Sequence, residues 1–369
     1  MKGKILALAA AIGSVSTGVS AVELGEFNGT KFSVGGYVKV EGVFNNPDSD
    51  AAFGVESTFD PTVRQSRINF KAEKMVDGHK VKGFLEGDFY GDGHHSSTAA
   101  WRVRHAYVSI DNLTVGQTWN GQFFAIAPLD GEMINFRGLS AGTIAGNGGV
   151  IRRDMQLHYT TNGFRFTAQD PIYVDADLPD MVASYTKRFK SGSAYNVALT
   201  GREVQTGTAV DPTASNSEWG FALSVAGKYV LPGGHDIRVS AYSGDGIGAY
   251  SGVGIGGAYN PAKIAGVDTM DASGGELVSQ YGFAAAYKHQ FTNKLRGTIR
   301  YGETNVDDAG DTKLEMTNIN LIYKYWPNMD IGIEWRDQNI DTLNSPPGTS
   351  FANVRPKGQQ LELMAMYKF

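Results

Sequence analysis

The connectors of this chain are sorted by length. They link segments of about eight to eleven residues that alternate apolar and polar side chains, and along the chain long and short connections take turns. After the first segment comes the long "NNPDSDAAFGVESTFDPTV", then the short "MVDGH", then "GDGHHSSTAA", then the two-residue "DN". A very long stretch, 120–150, is followed by a tight "TNG". The short series continues as "KSGS", "PGGH", "HQFTN" and "YWPN", and the long series as 203–217, 244–276, 302–313 and 337–358. Antiparallel strands with short turns at one end and long loops at the other form a transmembrane barrel. A soluble sandwich has no reason to sort its loops by parity.

Sixteen segments carry the alternation: 32–44, 64–74, 80–90, 101–110, 113–119, 151–160, 164–169, 181–189, 194–202, 218–230, 236–243, 277–288, 295–301, 314–324, 329–336 and 359–369. Helical periodicity is nearly absent. The expectation is an all-β chain: an antiparallel β-barrel of 16 strands, with short periplasmic turns, long extracellular loops and an inward-folded third loop. The faces separate cleanly. Phe32, Val34, Val38 and Val40 oppose Tyr37, Lys39 and Glu41, and Ser66, Ile68, Phe70 and Ala72 oppose Arg67, Asn69, Lys71 and Glu73. Leu295, Ile299 and Tyr301 likewise oppose Arg296, Thr298 and Arg300. The apolar side suits lipid and the charged side a watery lumen, because an Arg or Lys on the lipid face costs about 2–4 kcal/mol at the midplane. A soluble β-protein with a dry core would also alternate. The sorted connectors, the chain end and the aromatics near strand ends favour the membrane. Sixteen strands enclose an aqueous channel, whereas about eight are filled by their own side chains.

The two ends agree. Lys2 and Lys4, the apolar run Ile5 to Ile12 and the small residues Val19-Ser20-Ala21 read as a signal peptide over 1–21, leaving a single barrel domain over 22–369. The other end, "LELMAMYKF", stops inside a strand on Phe369. In a closed barrel the last strand pairs with the first, so this ending is a seam, with Tyr367 and Phe369 at the lipid interface. The expected location is the bacterial outer membrane, with its lipid as a partner. The chain has no cysteine, which excludes disulfide-stapled and Cys-ligated zinc folds. Its net charge of -5 argues against nucleic acid.

The charge is itself sorted. Acids crowd the loops in "NNPDSD", "DADLPD" and "DDAGD", while inward-facing cations outnumber inward acids. Such a bore attracts anions. The sharpest cluster is "WRVRHAY": Arg102 and Arg104 lie two apart and point the same way, and Arg67 and Lys71 on the second segment add to the same side of the barrel. Guanidinium forks suit carboxylates. In the plainer reading these arginines are simply paired with Glu86, Asp88 or loop acids. Lys39, Arg152 and Arg165 are further inward cations. The third loop is too apolar to stand in water, with Phe123, Phe124, Ile126, Ile134 and Phe136. Folded inward, it would narrow the bore and set Asp130, Glu132 and Arg137 near the basic wall. No nucleophile and base are grouped for an enzyme. His94 and His95 are adjacent rather than spaced as ligands, so no metal or other cofactor is expected.

The run "SRINFKAE…GFLEGDFYG…WRVRHAYVSIDNLTVGQTW…PLDGEMINF…RRDMQLHYT" resembles the DcaP-like porins of Gram-negative outer membranes, most strongly from Gly35 to Gln169. The resemblance implies a sixteen-stranded trimeric barrel that takes up small anionic solutes such as dicarboxylates. It aligns Arg102 and Arg104 with the family's paired strand arginines, and Asp130 and Glu132 with its loop region. Some relatives carry a coiled-coil segment before the barrel; here only about ten residues, without heptads, precede the first strand. The terminal aromatic resembles the signal read by the outer-membrane assembly machinery. The expected function is passive diffusion of small, preferentially anionic solutes. The alternatives are a substrate-specific channel and a non-conducting structural or adhesive barrel.

Overall fold

In lipid every backbone N–H and C=O needs a partner within the protein, which leaves a strand-forming chain only the closed barrel. The computed structural model describes residues 21–48, 57–91, 98–134, 141–144, 152–153, 155–171, 178–206, 217–250, 272–273, 276–307, 311, 313–341 and 358–369. Among them sixteen antiparallel strands form one closed wall. They are β1 (Thr30–Pro47), β2 (Arg67–Val76), β3 (His79–Asp88), β4 (Arg102–Ile110), β5 (Leu113–Trp119), β6 (Gln156–Thr161), β7 (Phe164–Gln169) and β8 (Asp180–Arg188). The ring continues with β9 (Ala194–Gln205), β10 (Ser217–Val230), β11 (Asp236–Asp245), β12 (Ser279–Gln290), β13 (Leu295–Val306), β14 (Lys313–Trp326), β15 (Met329–Asp341) and β16 (Gly358–Lys368). Each of the sixteen expected segments coincides with one of them.

The tight turns use the backbone that two-residue hairpins need. Asp77-Gly78 and Asn162-Gly163 take φ of 49° and 87° and of 48° and 88°. Positive φ at both central positions matches the twist of the flanking strands, and Asn, Asp and Gly tolerate it best. The faces divide as expected for a membrane wall. Val40, Phe70, Phe166, Leu199, Leu223 and Ile299 are exposed outside, while Lys39, Arg202 and Arg300 are fully buried inside.

Three details differ from the expectation. Strands β13 and β15 run on to Val306 and Asp341, beyond the expected ends at 301 and 336. Their outward side chains there are polar: Tyr301 donates to Glu303 (3.0 Å) and Glu315 (2.8 Å), and Lys313 bridges the same two carboxylates. The ladder continues above the apolar band, so the loss of apolar alternation does not mark the strand end. Ser66, placed outward by parity, precedes β2 and is buried; its Oγ accepts from Lys39 N and donates to Lys39 O. Finally, the residues before β1 are not loose. Val22–Phe27 forms a strand on the lower half of β1, and Thr58–Thr62 forms another on its upper half.

The seam is built from both chain ends. Tyr37 to Pro47 of β1 pair with Lys368 to Gly358 of β16. Gly36 N donates to Phe369 O (3.0 Å), and Phe369 N donates to Gly36 O (3.1 Å). Below that point the Val22–Phe27 strand takes over the same edge of β1, so the edge stays paired past the last residue. Gly36 has φ 154°, and a Cβ there would stand 2.2 Å from Arg67 O. Gly36→Ala should therefore weaken closure by about 1–3 kcal/mol, read as a lower temperature for loss of the heat-modifiable band on electrophoresis. Deleting Phe369 should lower the yield of folded barrel more than the conductance of the barrels that form. An unchanged yield would contradict the seam's role in assembly.

Candidate channel constriction

The third loop, leaving β5 at Trp119, turns into the barrel and lies along the inside of the far wall. That wall is cut to receive it. Its inward positions are small where the loop passes: Ala194 and Ala226 meet Phe124, Ile126 and Ala127, while Ala284 and Ala286 meet Leu129. Ile134 packs on Ile322 and Met364. A Cβ on Gly302 would stand 2.2 Å from Ala141 O, and one on Gly332 would stand 2.6 Å from Ile134 Cδ1. The apolar loop residues that could not stay in water thus find apolar and small partners. Phe123 instead packs at a tilt on Trp119, with ring centroids 4.7 Å apart. Phe136 and Arg137 lie outside the described residues.

Ion pairs fasten the loop to the same wall. Residues Leu129–Glu132 form a 3-10 turn that aims both carboxylates outward from the loop. Asp130 meets Arg300 Nε on β13 at 2.5 Å. Glu132 bridges Arg238 on β11 (2.9 Å) and Arg296 on β13 (3.1 Å). Backbone groups are also held: Arg238 donates to Pro128 O (2.8 Å), Asn320 to Glu132 O (2.8 Å), and Arg300 to Ala141 O (2.7 Å). At the loop's far end Ile134 N donates to Glu334 on β15 (2.8 Å), and Lys39 on β1 donates to Ile134 O. Lys39 also meets Glu41 at 2.8 Å and is fully buried, so it stands behind the loop tip. Asp130 and Glu132 are therefore engaged with Arg238, Arg296 and Arg300 rather than with the Arg102–Arg104 cluster.

A second connector joins the filling. Ile247 and Tyr250, just after β11, are fully buried with Ile144, Ala222 and Tyr242. Tyr250 Oη donates to Asp180 (2.5 Å) and accepts from Gln169 (2.5 Å), and Arg202 lies 5.4 Å over its ring. The sequence reading had no signal for this, because Tyr250 sits in a glycine-rich stretch that resembles an exposed loop.

With those two connectors against β7–β15, the opposite wall, β2–β4, carries the other basic residues. Arg102 grips Asp88 with both arms (Nε–Oδ1 2.9 Å, Nη2–Oδ2 2.7 Å), and Arg104 reaches the same carboxylate at 2.5 Å. Glu86 lies 3.6 Å from both Arg67 and Arg104. Above them Arg64 and Arg102 flank the Tyr90 ring at 4.4 Å and 5.4 Å. Below, Lys71 and Lys80 share Glu73 (3.1 Å and 3.2 Å), and Lys82 lies 5.0 Å over Tyr107. The plain pairing with Glu86 and Asp88 is thus present, and it leaves an excess of cations. A β-bulge opposite Glu86 and Gly87 sharpens the cluster. It switches parity after Arg104, so Arg104 and the next residue, His105, are both buried inside. The switch is visible in the sequence, where the outward apolar residue is Val103 before the bulge but Ala106, Val108 and Ile110 after it. Arg152 opposes Trp119 on β5, and Arg165 is half-buried on β7. Among the described residues no three His, Asp or Glu side chains are grouped to hold a metal, and no helix is long and apolar enough to cross a membrane.

No protein-family model and no curated protein matches the chain. Solved outer-membrane structures share its fold. The outer membrane channel DcaP of Acinetobacter baumannii matches with a TM-score of 0.72 at 20% identity, over 93% of this chain and 99% of that one. The anion-selective porin from Comamonas acidovorans matches at 0.62 and 12% identity, over 92% and 100%. The trimer form of OmpT from Vibrio cholerae matches at 0.57 and 14% identity, over 93% and 100%. The likeness is one of fold.

Breaking one partner of a buried ion pair costs about 3–5 kcal/mol, because the other charge is stranded. Arg300→Ala strands Asp130 beneath the loop. The expected result is a noisy open-channel current in planar bilayers, as the loop leaves its trough. Gly302→Val, which crowds Ala141, should do the same without touching a charge. A quiet current in both variants would contradict the anchoring.

Proposed function

We propose that the chain is an outer-membrane porin of the DcaP-like type, a water-filled channel through which small hydrophilic solutes diffuse, with preference for anions such as dicarboxylates. One observation carries the reading: the wall facing the inserted loop presents a column of seven cations, Arg64, Arg102, Arg104, Arg67, Lys71, Lys80 and Lys82, against three acids, Glu73, Glu86 and Asp88. A column of one sign along a narrow, low-dielectric bore concentrates the opposite ion. The internal acids hold the guanidinium forks in place, and they compete with a passing carboxylate, so anions would be drawn in and not trapped. Export by a signal peptide ending at Ala21, assembly as a homotrimer in outer-membrane lipid and recognition of Tyr367 and Phe369 by the assembly machinery complete the proposal. The DcaP channel's fold and the trimer form of the Vibrio cholerae protein support it.

Planar-bilayer recording in a potassium chloride gradient tests the function. The expected reversal potential has the sign of anion preference. Neutralising Arg102 and Arg104 together should move it toward zero, since those two groups supply two of the column's seven cations. A cation-selective reversal potential would overturn the anion reading, and absence of conductance would favour the structural or adhesive alternative.

A further inference from the structure

The turn-end half of one sector of the bore has arginines and no acids; Asp180, at the loop end of that sector, is paired with Arg202 (3.5 Å). From Asn112 to Leu129, Met155 to Gln169 and Met181 to Arg202 the chain contains no Asp or Glu. These stretches supply β5, β6, β7 and most of β8 and β9, which stand side by side in the wall. Arg165 on β7 faces the lumen there. Directly opposite it are Thr160 on β6 and Ser184 on β8. Directly opposed residues on antiparallel strands have Cβ atoms about 4.5–5.5 Å apart, so one guanidinium stands between two hydroxyls. Arg188 shares the inward parity of Ser184 and lies four residues nearer the turn end on the same strand. Among the described residues Arg165 has no hydrogen-bond or ion-pair partner. The Thr160 hydroxyl is buried and likewise has none.

Elsewhere in this lumen the arginines are answered by carboxylates. Arg67, Arg102 and Arg104 have Glu86 and Asp88; Arg238, Arg296 and Arg300 have Glu132 and Asp130. Two like charges facing one bore repel, and a buried hydroxyl without a partner loses about 1–3 kcal/mol. Both costs are relieved by an oxyanion that accepts from the guanidinium forks and from Thr160.

We infer that Arg165, Arg188 and Thr160 form an anion-binding station of their own in the turn-end half of the bore, taking a small oxyanion from solution where the rest of the lumen uses internal acids. The inference rests on the anion-channel reading and adds to it a saturable site. The β2–β4 column attracts anions with its forks already engaged; this station has its forks free, so it holds an anion longer.

Inorganic phosphate is the probe. In single-channel recordings with a fixed chloride background, phosphate added to the turn-end side should reduce the wild-type current along a saturating curve. Arg165→Gln and Arg188→Gln should each raise the half-saturating phosphate concentration about tenfold, the scale of one charge-assisted hydrogen bond. Thr160→Val should raise it less. The reversal potential in potassium chloride should stay anion-selective in all three, which also shows that they fold and conduct. Should Arg165→Gln fail to fold, Arg165→Lys keeps the charge without the fork and should give an intermediate value. Equal half-saturation in wild type and the double arginine variant, with anion preference intact, would overturn the station alone. A cation-selective wild type would overturn the channel reading instead.

Discussion

Everything in this molecule depends on pairing β1 with β16. A sheet of sixteen amphipathic strands cannot end in lipid, because each free edge would expose a row of unsatisfied backbone groups. The chain meets this with its two ends. Phe369 exchanges both backbone hydrogen bonds with Gly36, and the Val22–Phe27 strand covers the rest of the same β1 edge. Closure fixes which side chains face in, and with sixteen strands the inside is too wide for wall side chains alone to fill.

What fills it is a loop held by charge. Asp130 and Glu132 find their partners on β11 and β13, and the small residues of β9, β10, β12 and β13 leave room for the loop's apolar side chains. Acids in one connector thus consume the cations of one wall. The cations of the β2–β4 wall share that wall's three acids, and Arg165 and Arg188 have none among the described residues. The sorting of charge in the bore is therefore a consequence of where the loop docks.

Much of this was legible. The alternation located all sixteen strands, because the period-two pattern is imposed by two solvents rather than by neighbours. Connector parity set the topology, and "WRVRHAY" marked the basic wall. The misses have physical causes. Glu303 and Asp337 broke the apolar pattern, yet their strands continue, since above the apolar band the outer face meets water while the ladder still pairs. Tyr250 gave no sign of burial, because its partners Asp180, Gln169 and Arg202 lie about fifty to eighty residues away in sequence. The bulge after Arg104 was written in the sequence as a parity switch, but its effect on His105 depends on the β3 register.

By itself, then, the sequence determined the wall: strand number, order, facing and the aromatic seam. Those follow from local periodicity and from lipid's intolerance of unpaired backbone, and neither requires knowing which strands lie across from which. Tertiary structure alone decided the distribution of charge within the bore. Whether Lys39 lines water or supports Ile134, and whether Asp130 meets Arg102 or Arg300, turns on the path of one loop across the barrel. That path is set by long-range fit between Ile134, Ala141 and Leu129 and the glycines and alanines of a wall more than a hundred residues further along the chain.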